Sequence, residues 1–189
     1  MHGDWLGREQ MKVRVFIACS SDGFIAGPND ELDWLEGPDG TEDTFTPFFK
    51  QIGAMLMGRR IYDVASSFEG DWPYGDTPII VATNRPLQTD KPSVQGSQGT
   101  IGELVAKAKT MAEGRDVYLD GGNLIRQALD AGLVDELTLT LIPIVLGDGI
   151  PLFSGTKQNH RLELCSYRAI GGGMVELIYE PAKVLPNAS

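Results

Sequence analysis

The sequence predicts an α/β domain whose mixed sheet carries helices on both faces and ends in an antiparallel hairpin. Three observations predict it. Apolar, β-branched runs of strand length alternate along the chain with segments whose apolar residues recur at helical spacing. The stretch from Val117 to Phe153 (VYLDGGNLIRQALDAGLVDELTLTLIPIVLGDGIPLF) reads in succession as strand, glycine turn, helix and strand. Near the C-terminus, Leu162 to Ile170 and Met174 to Glu180 flank Gly171-Gly172-Gly173, the pattern of two strands joined by a tight turn.

In chain order, residues 1–11 show no periodicity and are expected to form a disordered leader, residues 12–183 a single domain and residues 184–189 a tail. Val13 to Cys19 (VRVFIAC) is apolar on nearly both sides, which suits a central strand of a covered sheet. The polar loop SSDGFIAGPNDELDWL follows it, at the end of a buried strand where open α/β sheets place ligands. Between Asp30 and Asp43 seven acids fall in fourteen residues (Asp30, Glu31, Asp33, Glu36, Asp39, Glu42, Asp43). They do not form a calcium loop, because Trp34 stands where the EF-hand needs glycine, and they read as a solvated face. Phe45, Phe48, Phe49 and Ile52 recur at helical spacing, predicting a helix buried against the sheet with Thr44 or Asp43 as its N-cap.

Ala54 to Met57 is a short strand, followed by Gly58-Arg59-Arg60 and a helical face of Ile61, Ala65 and Phe68. Two cations in a first helical turn oppose the helix dipole. An anion seated at that helix start gives them a reason; two solvated arginines are the plain alternative. Pro78 to Ala82 is another buried strand, ending in Thr83-Asn84-Arg85-Pro86, so polar and basic groups again gather just past a strand. Thr100-Ile101-Gly102-Glu103 is a capping box, and Ile101, Leu104, Val105 and Ala108 give its helix an apolar stripe. Beyond the strand at Val117 to Leu119, Gly121-Gly122 precedes a helix faced by Leu124, Ile125, Ala128 and Leu129, with Gly132 where a left-handed C-terminal residue is wanted. Paired glycines at such a junction let backbone N–H groups approach a phosphate, or simply turn the chain; neither the G-x-G-x-x-G fingerprint nor a Walker loop is present.

Composition narrows the classes. A chain of 189 residues with 42% hydrophobic and 22% charged residues is ordinary for one globular domain. The net charge of −10 argues against a nucleic-acid binder. There is no long apolar span or secretory leader, and only Cys19 and Cys165 occur, each in an apolar run and expected to be buried; a reducing cytoplasm fits. With His2 and His160 the only histidines, no zinc site is expected, and His160 has no evident partner for nucleophilic catalysis.

Three stretches together, SSDGFIAG, LMGRRIYD and YLDGGNLIRQALDAGLVDELTLTLIPIVLGDGIPLF, resemble the dihydrofolate reductase-like superfamily, and within it the C-terminal reductase domain of the riboflavin-biosynthesis protein RibD and its single-domain relatives. The match runs from about Val13 to Glu180 in the right order. The resemblance implies a three-layer α/β/α fold with a sheet of about eight strands, a homodimer, a cytoplasmic location and a small-molecule substrate, with no nucleic-acid or membrane partner. It implies NADPH as cofactor, a reductase acting on a CH–OH/C=N type group, and hydride transfer to a small heterocyclic substrate, most like 5-amino-6-(5-phosphoribosylamino)uracil reductase. The alternatives are a dihydrofolate or pterin reductase, and a non-catalytic NADPH-binding module. Carried onto this sequence, Gly58, Arg59, Arg60, Gly121, Gly122, Asn123 and Leu124 face the cofactor phosphates, Thr83, Asn84 and Arg85 hold the adenosine 2′-phosphate, and Ala18 lines the nicotinamide pocket. Gly23, Phe24 and Ile25 close over the substrate, and Asp22 is the candidate catalytic residue. Dihydrofolate reductases proper use a carboxylate on the helix after this loop; here that helix presents Phe45 and Phe48 instead.

Overall fold

The computed structural model describes residues 10–35, 40–68 and 70–182; the expected leader up to residue 9, the tail from 184, and Glu36 and Asp39 of the acidic run lie outside these. Its main sheet has eight strands: β1 (Val13–Ser20), β3 (Ile52–Gly58), β4 (Ile79–Ala82), β5 (Val94–Ser97), β6 (Asp116–Asp120), β7 (Glu136–Ile142), β9 (Leu162–Gly171) and β10 (Met174–Pro181). They lie in the order β5-β4-β3-β6-β1-β7-β10-β9. From β5 to β7 every pairing is parallel, and β10 then runs antiparallel to β7 with β9 antiparallel beyond it. A second sheet of two short strands, β2 (Phe24–Ala26) and β8 (Ile150–Pro151), packs outside.

Parallel strands covered on both faces are apolar throughout. β3 shows this directly, being buried from Ile52 to Met57, and in the register Val15 sits beside Leu119 on β6 and Leu137 on β7. One sheet face carries α3 (Ile101–Met111) and α4 (Gly122–Asp130), with Val15, Leu56, Leu119, Ile125 and Leu137 all fully buried between the layers. The other carries α1 (Phe45–Phe49) and α2 (Arg59–Ser67), packed through Phe48, Met55, Met57, Tyr62 and Tyr118. The result is the three-layer α/β/α sandwich expected.

The N-terminal ends of β1, β6 and β7 are tied by charge. Arg14 Nη2 lies 2.6 Å from Glu136 Oε1 and its Nη1 lies 3.3 Å from Asp116. The Val13 N–H donates to Asp135 Oδ2 at 2.8 Å and the Lys12 N–H to Asp116 Oδ1 at 2.9 Å. These side chains satisfy backbone groups that parallel strand ends otherwise leave bare.

Local expectations fare variously. The Thr100–Glu103 capping box forms, and Gly132 adopts φ 65°. At α1, Asp43 takes the Thr46 N–H at 2.9 Å, whereas Thr44 makes no side-chain cap bond. Phe68 falls past the end of α2 and is 62% exposed instead of packing with Ile61 and Ala65, because α2 stops at Ser67 and the chain turns extended at residue 68. Cys165 is exposed, since β9 is an edge strand with almost no cover, while Cys19 is buried. His160 does have a partner: its Nε2 lies 2.9 Å from Asp130 Oδ1, and Asp130 also receives the Lys157 N–H.

Leu119 is fully buried on a central strand, on the sheet face covered by α3 and α4. Leu119→Ala is expected to lower the unfolding free energy by about 2–5 kcal/mol in urea titrations, through lost burial plus a residual cavity.

Candidate functional site

β3, β4 and β6 are neighbours in the sheet, so their C-terminal exits open side by side. A cleft of about 850 Å³ runs along these exits. It is lined by Gly58, Arg59 and Arg60 after β3, by Thr83, Asn84 and Arg85 after β4, and by Gly121, Gly122, Asn123 and Leu124 after β6, with Ala18 of β1 in the same wall. The arginine corner and the double-glycine corner therefore share one groove. Ile25 lines it too, whereas Gly23 and Phe24 do not.

The glycines are what let these corners meet. Gly121 has φ 108°, and a Cβ placed there would lie 3.3 Å from Ile61 Cγ1 and 3.4 Å from the Gly58 nitrogen. A Cβ on Gly122 would meet Ile25 Cδ1 at 2.8 Å. Gly58 and Gly121 are the N-caps of α2 and α4, so two helix N-termini, each bearing free N–H groups and partial positive charge, face the same space. That is a donor set for a diphosphate.

The cations differ in how they are held. Arg59 donates to Asp63 Oδ1 at 2.8 Å and to the Pro86 carbonyl at 3.4 Å. Arg60 is paired with Asp30 of the loop after β2, a bridge between two residues that both line the cleft. Arg85 is exposed, and its guanidinium has no partner among the described residues.

Asp22 lies elsewhere. It is absent from the cleft wall, and its carboxylate accepts from Ser20 Oγ at 2.6 Å, the Leu146 N–H at 3.1 Å and the Gly147 N–H at 2.8 Å. The Ser20 hydroxyl and then the Gly147 N–H hold its pKa below the usual carboxylate value. In this arrangement Asp22 clamps the loop after β1 to the loop after β7.

A different acid lines the cleft. Asp120, the last residue of β6, sits among Phe16, Tyr74 and Tyr118, and burial pushes its carboxyl up to about 6 while the Gly121 N–H and the Tyr118 hydroxyl act the other way. Tyr118 donates its hydroxyl to the Phe16 carbonyl at 2.9 Å. Tyr74 is pushed well up, first by burial and then by the nearby Asp120 charge. The signal for Asp120 in the sequence is a charge that closes an apolar strand directly before a double glycine. Among the described residues no cluster of His, Cys, Asp and Glu is arranged to hold a metal ion, and no helix is long and apolar enough to cross a membrane.

A mixed eight-stranded sheet covered by helices on both faces and ending in an antiparallel pair, with glycine- and arginine-bearing strand exits and a half-buried acid along one cleft, has the dihydrofolate reductase-like fold. The chain belongs to the RibD C-terminal domain family, whose profile matches residues 11–176. It is 30% identical over 184 residues to the uncharacterized protein YyaP of Bacillus subtilis, covering 90% of this chain and 95% of that one. Among solved structures, a Shewanella sp. PV-4 protein described as a candidate riboflavin biosynthesis protein superposes with a TM-score of 0.82 at 28% identity, covering 92% of this chain and all (100%) of that one. A dihydrofolate reductase from Enterococcus faecalis complexed with NADP(H) superposes with a TM-score of 0.65 at 16% identity, over 92% of this chain and 98% of that one.

The raised Asp120 pKa makes a stability claim. The folded chain holds this proton more tightly than the unfolded chain, so stability declines as pH rises from 3.8 to about 6. Asp120→Asn is expected to remove that decline. Urea unfolding at about pH 4 and about pH 8 should show the variant gaining on the wild type at the higher pH, by at most about 3 kcal/mol.

Proposed function

We propose that the protein is an NADPH-dependent reductase that transfers hydride to a small nitrogen heterocycle, most like 5-amino-6-(5-phosphoribosylamino)uracil reductase. One observation carries this reading: three phosphate-capable corners and a half-buried acid converge on one cleft. The residues present fit the cofactor, since Gly121 and Gly122 leave room for close backbone approach and the corners supply N–H groups and guanidinium. The relatives support it as well. A bifunctional Thermotoga maritima enzyme whose activities include 5-amino-6-(5-phosphoribosylamino)uracil reductase superposes with a TM-score of 0.66, at 15% identity.

The cofactor supplies the hydride; the chain supplies position, dryness and a proton. Gly58, Arg59, Arg60, Gly121, Gly122, Asn123 and Leu124 would hold the diphosphate, and Thr83, Asn84 and Arg85 would hold the 2′-phosphate by charge-assisted hydrogen bonds. Ala18 would border the nicotinamide. Arg60, paired with Asp30, would offer its guanidinium to the cofactor phosphates.

Asp120 is the proton donor in this reading. It lines the cleft and is held protonated below about 6, whereas Asp22 is outside the cleft with both oxygens occupied. The helix where dihydrofolate reductases carry their acid reads FTPFF here, which favours the riboflavin-type reading over folate reduction.

Two measurements test this. In fluorescence titrations, Arg85→Ala should weaken NADPH by about tenfold or more and NADH by much less, whereas Arg60→Ala, at the diphosphate corner, should weaken both alike; equal losses of the two cofactors in Arg85→Ala would refute the 2′-phosphate assignment. In stopped-flow oxidation of bound NADPH against pyrimidine acceptors, the rate should fall as pH rises through about 6, and Asp120→Asn should slow it roughly a hundredfold and flatten that profile. NADPH binding without turnover on any acceptor would show a non-catalytic module.

A further inference from the structure

Outside the cleft wall, one buried charged side chain among the described residues is only half satisfied. Glu176 on β10 is 3% exposed; its Oε1 accepts from Arg168 Nε at 2.9 Å, and its Oε2 is buried without a hydrogen-bond partner. A buried carboxylate oxygen that accepts nothing is a standing cost to the fold, and an N–H donor from a ligand would remove it.

The strand register shows where this oxygen lies. Glu176 is the cross-strand partner of Thr140 on β7, and Thr140 is the partner of Ala18 on β1. Cross-strand partners share a sheet face. Ala18, Thr140 and Glu176 therefore form one row, with Ala18 in the cleft wall and Thr140 itself a buried polar group. The row spans two strand spacings, about 10 Å, which is the reach of a substituted heterocycle laid across it. Ala18 and Leu35, both cleft residues, also pack on the small cluster of Ile142, Ile170 and Met174 beside this row. Leu35, carried on the single turn Asp33–Leu35, borders this end of the cleft.

Charge sets the chemistry of the guest. Arg168 also donates to Glu42 Oε1 at 2.9 Å, so one guanidinium serves two carboxylates and the group keeps a net negative charge. That favours an amino or protonated ring-nitrogen edge over a carbonyl edge.

We propose that Glu176 is a specificity residue, whose Oε2 accepts an N–H from the amino edge of a nitrogen heterocycle lying over Ala18 and Thr140. The proposal rests on the reductase reading in taking this end of the cleft as the substrate's. The recognition chemistry stands on the carboxylate itself.

The probe is 2-aminopyridine, with pyridine as the control that lacks the amino group, followed by ligand-observed NMR on the intact protein with and without NADPH. The wild type is expected to bind 2-aminopyridine in preference to pyridine. Glu176→Gln, which keeps an oxygen for Arg168 and turns the other position into a donor, should weaken 2-aminopyridine by tenfold or more while NADPH affinity stays within twofold. Equal binding by the two proteins, or no preference for the amino compound in the wild type, overturns the proposal. If Glu176→Gln does not fold, wild-type crystals soaked in the probe decide: an amino nitrogen about 3 Å from Oε2 supports it, and a probe seated elsewhere or absent overturns it. The NADPH titration run alongside separates the two readings. Loss of NADPH binding with the amino preference intact would remove the reductase reading alone, and NADPH oxidation without that preference would remove only the role of Glu176.

Discussion

The close approach of two backbone corners, Gly58 and Gly121, is the constraint on which the cleft depends. β3 and β6 are hydrogen-bonded neighbours, so their exits start about 5 Å apart. A helix begins at each exit, and two helices can start so near each other only if one junction carries no side chain. Gly121 meets this need twice, by lacking a Cβ that would press on Ile61 and the Gly58 nitrogen, and by adopting φ 108°. A bulkier residue there would push α4 from α2, and the two sets of free N–H groups would no longer face one ligand.

The sheet divides its charged groups by end. At the N-terminal edge, Arg14, Asp116, Asp135 and Glu136 are paired with one another or with backbone donors and hold three parallel strands in register. At the C-terminal edge the pairings are looser: Arg85 is free among the described residues and Arg60 is held by one exposed aspartate. Paired charge is concentrated at one edge and the open cleft at the other, and in α/β sheets generally ligands gather beyond the carboxyl ends of strands.

Much of this was legible in the sequence, for physical reasons. VRVFIAC, PIIVA and LTLTLI announce strands because covered parallel strands are apolar on both faces, and Thr100 to Glu103 announces α3 because a capping box is local. β5 escaped because VQGS is a polar edge strand with no periodic signature, and β2 and β8 escaped because they are two or three residues long and exist only through their mutual pairing. The role of Asp22 depends on backbone donors 124 and 125 residues away, which no local pattern reveals. Asp120 was passed over because a strand-terminal aspartate looks like any other until the neighbours that desolvate it are known. The riboflavin-type resemblance carried the fold, whereas the hydrogen bonds of Asp22 and the desolvation of Asp120 become visible only once the chain is folded.

The exposed guanidinium of Arg85 has a consequence when set against the whole surface. With a formal net charge of −10, the exterior repels anions at range, and the field is reversed only locally, where arginines and helix starts meet. The attraction of that corner for a small anion is therefore of short range, and added salt is expected to weaken it.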